Sequence, residues 1–245
     1  MERNVRLYPL YQAARSSTFW LPVFILYFSS RFSAAEVLLL EAIYFASVVL
    51  LEVPSGYLSD RVGRRPTLLL AGAAWALGYA AWAVGGGWWR LAVGQVAIAA
   101  GMAFNSGTDN ALVFESLSAL GREDEVAVVE GKAQSWSAIA MARSALAGGL
   151  LASVDLRLGH GLSAVGAVVA FGVAWFFRDP TRLAVALRPW AQLPGVAGAL
   201  PSPALHWPSV FSVGMAVFIP VRSQLDPPYP DVLHVHSCLD HRTPV

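Results

Sequence analysis

Charge is what this sequence has least of. Only 13% of its 245 residues are Asp, Glu, Lys or Arg, about half the share in soluble domains. Such a chain cannot cover itself with a water-facing surface, and 56% hydrophobic residues with mean hydropathy +0.53 place it among membrane proteins. Cysteine is almost absent: Cys238 alone excludes a disulfide framework within the chain. The first twenty residues, MERNVRLYPLYQAARSSTFW, lack a small-residue cleavage site after a short apolar core. They do not read as a signal peptide, and the first apolar run reads as a retained span. No phosphate loop, nucleophile–base pair or dinucleotide fingerprint is found. An enzyme has no catalytic constellation here, and no cofactor or nucleic-acid partner is implied.

What is present is oil in lengths of about 20 residues, the length a helix needs to cross a bilayer. Six segments qualify: 17–34, 37–58, 67–86, 89–113, 133–153 and 161–177. The expected fold is therefore all-α, a polytopic membrane helix bundle. Residues 1–16 read as a cytoplasmic N-terminus and 17–177 as a six-helix transmembrane half-domain. Residues 178–203 read as a basic, proline-rich cytoplasmic linker, 204–221 as a partial seventh span interrupted by Pro208 and Pro220, and 222–245 as a disordered tail. Lys and Arg set the orientation. With the N-terminus inside, eleven basic residues (Arg3, Arg6, Arg15, Arg61, Arg64, Arg65, Arg122, Lys132, Arg178, Arg182 and Arg188) face the cytoplasm and three (Arg31, Arg90 and Arg157) face outward. Trp88 and Trp89 then fall at the outer interface. The expected location is the cell membrane, the inner or plasma membrane of a bacterium, with the bilayer itself as the first partner.

Between the second and third runs lies a charge knot, VPSGYLSDRVGRRPTLLL, residues 53–70, with four charges in the six positions from Asp60 to Arg65. Gly56 permits close approach of another helix, Asp60 ends span two where it can face a helix N-terminus, and Gly63 permits a tight turn. Arg61, Arg64 and Arg65 hold the headgroup region. The knot resembles the signature loop G-x-L-x-D-R-x-G-R-[RK]-x-x-L of the major facilitator superfamily (MFS), matching at every defined position and in its place between spans two and three. SGTDNALVFESL at 106–117 is similar to the inner end of span four in one bacterial branch of that family. The resemblance implies six helices arranged as two three-helix repeats, half of an MFS fold. It also implies secondary transport of a small solute by alternating access, with Gly56, Asp60, Arg61, Gly63, Arg64 and Arg65 as a latch between two halves. A second family signature in span four is not cleanly present: Val93 or Gln95 stands at a defining position, depending on register. The glycine–proline pair of span-five antiporters is also missing after Gly148-Gly149. Likeness to the family fades after about residue 220, within span seven. That implies a truncated or frameshifted chain, or a half that must assemble with a second copy or a missing C-terminal half. A non-transporting membrane remnant stands as the alternative.

Ionisable groups inside spans point to function or to buried pairs. Glu41 and Glu52 lie three turns apart on one face of span two, and Arg143 is central in span five, with either glutamate, or an anionic solute, as its expected partner. Gln95, Asp109 and Glu115 lie in span four. The two acids there have two readings: ion pairs with Arg61, Arg64 or Arg65, or proton carriers. These six residues are the candidate substrate or coupling set, with or without a proton as the coupled ion. The small residues Gly72, Gly78, Gly94, Gly101, Gly148, Gly149, Gly166 and Gly172 are expected to let helices pack closely. His234, His236, Cys238 and His241 have metal-ligand types, but their polar terminal setting argues against a metal site.

Overall fold

A computed structural model describes residues 1–180. The linker (178–203) lies almost wholly, and the partial seventh span, the tail and its histidines entirely, outside the described residues. Within them eight α-helices follow one another: α1 (Glu2–Arg15), α2 (Phe24–Ser29), α3 (Ala34–Val62), α4 (Arg64–Val84), α5 (Trp88–Asn105), α6 (Thr108–Ser118), α7 (Val126–Ala152) and α8 (Leu156–Trp175). Helices α3, α4 and α8 are each long and apolar enough to cross a membrane.

The packing shows two repeats of three helical segments. In the first, α1 with α2 is followed by α3 and α4; in the second, α5 with α6 is followed by α7 and α8. Helix α3 packs on α5 of the other repeat, and its counterpart α7 packs on α1. Likewise α4 packs on α5 as α8 packs on α1, and the third members, α4 and α8, pack on each other. Exchanging the repeats maps each contact onto another. That is the symmetry expected when one three-helix unit occurs twice.

The first member of each repeat is interrupted, and here the sequence expectation needs correction. The stretch 17–34 is not one helix. Helix α1 occupies 2–15, the range read as a cytoplasmic N-terminus, and the chain then breaks at 16–20 and resumes as a 3-10 turn, Leu21–Val23, and α2. Three adjacent hydroxyl residues explain the break, because such side chains offer the backbone local alternatives to the helical ladder. Ser17 Oγ donates to the Ala13 carbonyl at 2.9 Å, and Pro22 cannot donate to a continuing ladder. The broken backbone is held from outside: the Phe19 N–H donates to Ser163 Oγ of α8 at 2.9 Å. Gly148 of α7 lies so close to the Phe19 carbonyl that a side chain there would collide with it. The other break divides 89–113 at Ser106–Gly107, where Gly107 takes φ +71°, ψ −21°, a conformation with little steric penalty only for glycine. Helix α7 also starts earlier than span five was expected to, at Val126, so the connection before it is short.

Three clusters fill the interior. The largest joins Tyr27, Phe28, Leu40, Trp75, Tyr79, Trp82 and Ile98. Tyr11, Leu68, Leu112 and Phe177 make the second, and Tyr8, Val113, Leu117 and Ala133 the third. Gly101 lies flat under Trp75, whose ring is 2.5 Å from where a Cβ would sit, so the expected close packing is realised there. Gly149 and Gly172 meet nothing within 4 Å among the described residues. Helices α3 and α7 are the exceptions to burial. Only Val37, Leu40, Ser55 and Ser59 are buried among the 29 residues of α3, and only Ala133, Ser144 and Gly148 among the 27 of α7. Both helices are apolar on their open faces too, with Leu50, Val49, Leu146 and Leu150 well exposed.

Candidate functional site

The charge knot is a junction of four helices. Gly63 closes α3 and opens α4 with φ +127°, which lets the chain reverse with no residue to spare. Arg64, the first residue of α4, reaches back one turn. Its Nη1 donates to Asp60 Oδ1 at 2.7 Å and to Ser59 Oγ at 2.9 Å, and its Nε and Nη2 donate to Glu115 Oε1 of α6 at 3.0 and 2.7 Å. Thr108 Oγ1 donates to Ser59 Oγ, tying α6 to α3 again. Arg65 turns the other way: its Nε donates to the Trp175 carbonyl at the end of α8, its guanidinium lies over the Trp175 ring, and its backbone N–H donates to Asp179. Arg61 rests its guanidinium on the Tyr57 ring. Gly56 has no atom within 4 Å of where its side chain would begin, so the close approach expected of it is not made within the described residues.

The acids of span four separate. Glu115 joins the knot, as one reading had it, but Asp109 does not. Asp109 is buried on the first turn of α6, and the Gly107 break brings it against α1. Its Oδ2 accepts from Gln12 Nε2 at 2.9 Å and from Asn105 Nδ2 at 3.1 Å, and Arg15 Nη2 lies 3.7 Å away. Its Oδ1 accepts the Asn110 N–H. Around this pair the network continues: Arg15 Nε donates to Gln12 Oε1, Gln12 Nε2 also donates to Tyr8 OH, and Tyr11 OH donates to Asn105 Oδ1 at 2.7 Å. A cavity of about 240 Å³ opens beside it, lined additionally by Glu130 and Gln134 of α7. A charge taken out of water is costly unless paired and hydrogen-bonded, and Asp109, with a side chain 6% exposed, meets both conditions. Arg15 is more open, and its guanidinium has donors to spare. The arrangement can therefore hold a small polar solute, offering donors from Arg15 and the amides and acceptors from Asp109 and Glu130.

Arg15 was expected to be a loop cation at the inner surface. It ends α1 and serves the pocket instead. The signal was present in the spacing: Tyr8, Tyr11, Gln12 and Arg15 recur at three and four residues, one polar stripe on a helix. The pairing expected for Arg143 is also corrected. Glu41 accepts from Gln95 Nε2 at 3.1 Å and Glu52 from Ser106 Oγ at 3.3 Å. No ion pair joins either to Arg143 among the described residues, because Arg143 stands on the exposed side of α7. The structure thus gathers Asp109 into one polar site, Glu115 into the knot, and leaves Glu41–Gln95 and Glu52 as separate contacts between α3 and the α5–α6 segment.

The profile of the Major Facilitator Superfamily matches residues 10–227. The chain belongs to the major facilitator superfamily. Solved structures agree on the fold. A mutant of the peptide transporter POT in complex with sulfate superposes with a TM-score of 0.62 at 20% identity, over 89% of this chain and 46% of that one. The same transporter in complex with sulfate without the mutation gives 0.60 at 20% identity, again over 89% and 46%, and the mutant with alafosfalin gives 0.56 at 19%, with the same coverage. The chain thus spans about half the length of the transporters it resembles. No curated protein matches it.

Proposed function

We propose that this chain is a six-helix unit of a secondary transporter that moves a small polar solute across a cell membrane by alternating access. The observation that carries the reading is the Arg15–Asp109 pocket: a hydrogen-bonded, charge-bearing cavity inside a largely apolar MFS bundle, where buried ionisable groups are expensive and serve function by default. Its α1 and α6 walls meet at the two helix breaks, and irregular backbone at membrane depth is tolerated where it lines a cavity. The knot residues Gly56, Asp60, Arg61, Gly63, Arg64 and Arg65 act as the gate latch, with the N-terminus on the cytoplasmic side of the inner or plasma membrane. Glu41, Glu52, Gln95, Glu115 and Arg143 flank the path, where a carboxylate could carry a coupling proton. The open apolar faces of α3 and α7 support assembly with a second six-helix unit, either a further segment or a second copy.

The test is solute uptake and efflux in proteoliposomes, with short peptides in the panel because the solved neighbours are peptide transporters. Asp109→Asn removes a charged acceptor from hydrogen bonds worth about 1.5–3 kcal/mol each, so solute affinity should fall roughly 10- to 100-fold. Transport that persists unchanged in Asp109→Asn removes the pocket from the pathway. A chain that moves no solute, alone or assembled, supports the remnant reading instead.

A further inference from the structure

The bundle end opposite the knot gathers a second charge cluster that the transport reading does not use. Arg31 follows α2, Arg90 lies in the first turn of α5, and Arg157 is the second residue of α8. They come from three separate connections, yet all three meet at the Gly85–Gly86 turn. A Cβ on Gly85 would lie 3.0 Å from Arg31 Nη1 and 3.5 Å from Arg157 Cζ, and one on Gly86 would lie 2.9 Å from Arg90 Nη1. Arg31 and Arg157 thus crowd one point, and like charges at such range repel.

Among the described residues no ion pair joins any of the three arginines to a carboxylate. The nearby acids bond other groups than the guanidiniums: Asp155 Oδ1 accepts the Arg157 backbone N–H at 2.8 Å, and Glu36 Oε2 accepts from Ser33. Arg31 donates to Tyr27 OH at 3.0 Å and lies over its ring, and Arg90 donates to the Gly85 carbonyl, so their contacts orient the cations without discharging them. Below Tyr27 lies His160, fully buried, with neither ring nitrogen hydrogen-bonded among the described residues. The start of α5 adds a positive helix end, and Gly87 offers it no capping side chain. Trp89, 78% exposed one residue from Arg90, is of the type that sits at headgroup level.

We propose that Arg31, Arg90 and Arg157 form a binding site for a phosphate group, presented by a phospholipid headgroup or by free phosphate. Guanidinium forks match phosphate oxygens in geometry as well as charge, and one phosphate between Arg31 and Arg157 turns repulsion into two attractions. The site braces α2, the α4–α5 turn and α8 at one bundle end.

The test uses the full chain in micelles of a maltoside detergent, which contains no phosphate. One arm adds inorganic phosphate, and the other adds phosphatidylglycerol to the micelles; both read thermal unfolding. Arg157→Gln is the variant to use, because the Arg157 side chain makes no hydrogen bond to the described residues and its loss leaves the fold intact. Arg3→Gln, on α1 away from the cluster, is the control. Anion-dependent stabilisation in the wild type and in Arg3→Gln, with the half-saturating anion level raised at least ~10-fold in Arg157→Gln, supports the site. A response to inorganic phosphate assigns a free anion, and a response to phosphatidylglycerol alone assigns the headgroup. Without added anion, Arg31→Gln/Arg157→Gln should unfold no earlier than wild type. No stabilisation in either arm, or equal stabilisation in Arg157→Gln and Arg3→Gln, overturns the proposal. None of these readouts depends on transport.

Discussion

Replacing Arg64 by Gln separates a structural junction from a mere row of surface anchors. If the arginines only hold the headgroup region, neutralising one of three costs little. The geometry says otherwise, because Arg64 alone links α3, α4 and α6. Its two bonds to Glu115 Oε1 join side chains 19% and 31% exposed, and a hydrogen bond between charged groups contributes about 1.5–3 kcal/mol. Partial exposure places the Glu115 leg at the lower end, about 1.5 kcal/mol. The Asp60 leg is as short, 2.7 Å, but Asp60 is 65% exposed, and such a pair contributes roughly 0.5 kcal/mol. Arg64→Gln should therefore destabilise the bundle by about 2 kcal/mol. A double-mutant cycle in SDS-induced unfolding checks the division: coupling of Arg64 with Glu115→Gln near 1.5 kcal/mol, and with Asp60→Asn three-fold smaller. Equal couplings, or a total below ~0.5 kcal/mol, would refute the junction and restore the anchor reading.

Two further outcomes follow from the helix breaks. Ser163→Ala removes the acceptor of the half-buried Phe19 N–H and should cost about 1 kcal/mol in the same unfolding assay; a loss below ~0.5 kcal/mol would show that the break is held by other contacts. Gly107→Ala meets no atom within 4 Å among the described residues, so its cost there is backbone strain, about 1–2 kcal/mol. Gly107→Asn should recover part of that because asparagine tolerates positive φ, and equal stability for Gly, Ala and Asn would mean that the break does not need this conformation.

The parts of this protein that were legible in its sequence are those whose signal is local. The knot could be read because glycine, acid and arginine act there on neighbours within one turn: Asp60 meets Arg64 four residues on, and Gly63 reverses the chain between them. The helical segments followed from apolar runs, and the repeats from the family resemblance. Partners across helices could not be read, because the rotation of α7 about its own axis is set by distant contacts such as Gly148 against Phe19, and with Arg143 exposed no ion pair joins it to Glu41 or Glu52 among the described residues. The pocket was hidden for another reason. Hydropathy treats Arg3, Arg6 and Arg15 alike and moved the first span past all of them, although only Arg15 ends a stripe of polar residues on one face of α1. That stripe becomes a site where it meets the second break. The turn at Gly107 ends α5 at Asn105 and restarts α6 at Thr108, and the side chains flanking it meet α1, where Tyr11 OH donates to Asn105 and Gln12 Nε2 to Asp109. One glycine with positive φ thus does at the α5–α6 junction what three hydroxyl residues and Pro22 do between α1 and α2. Each repeat opens on an interrupted segment, and the polar site lies between those two segments.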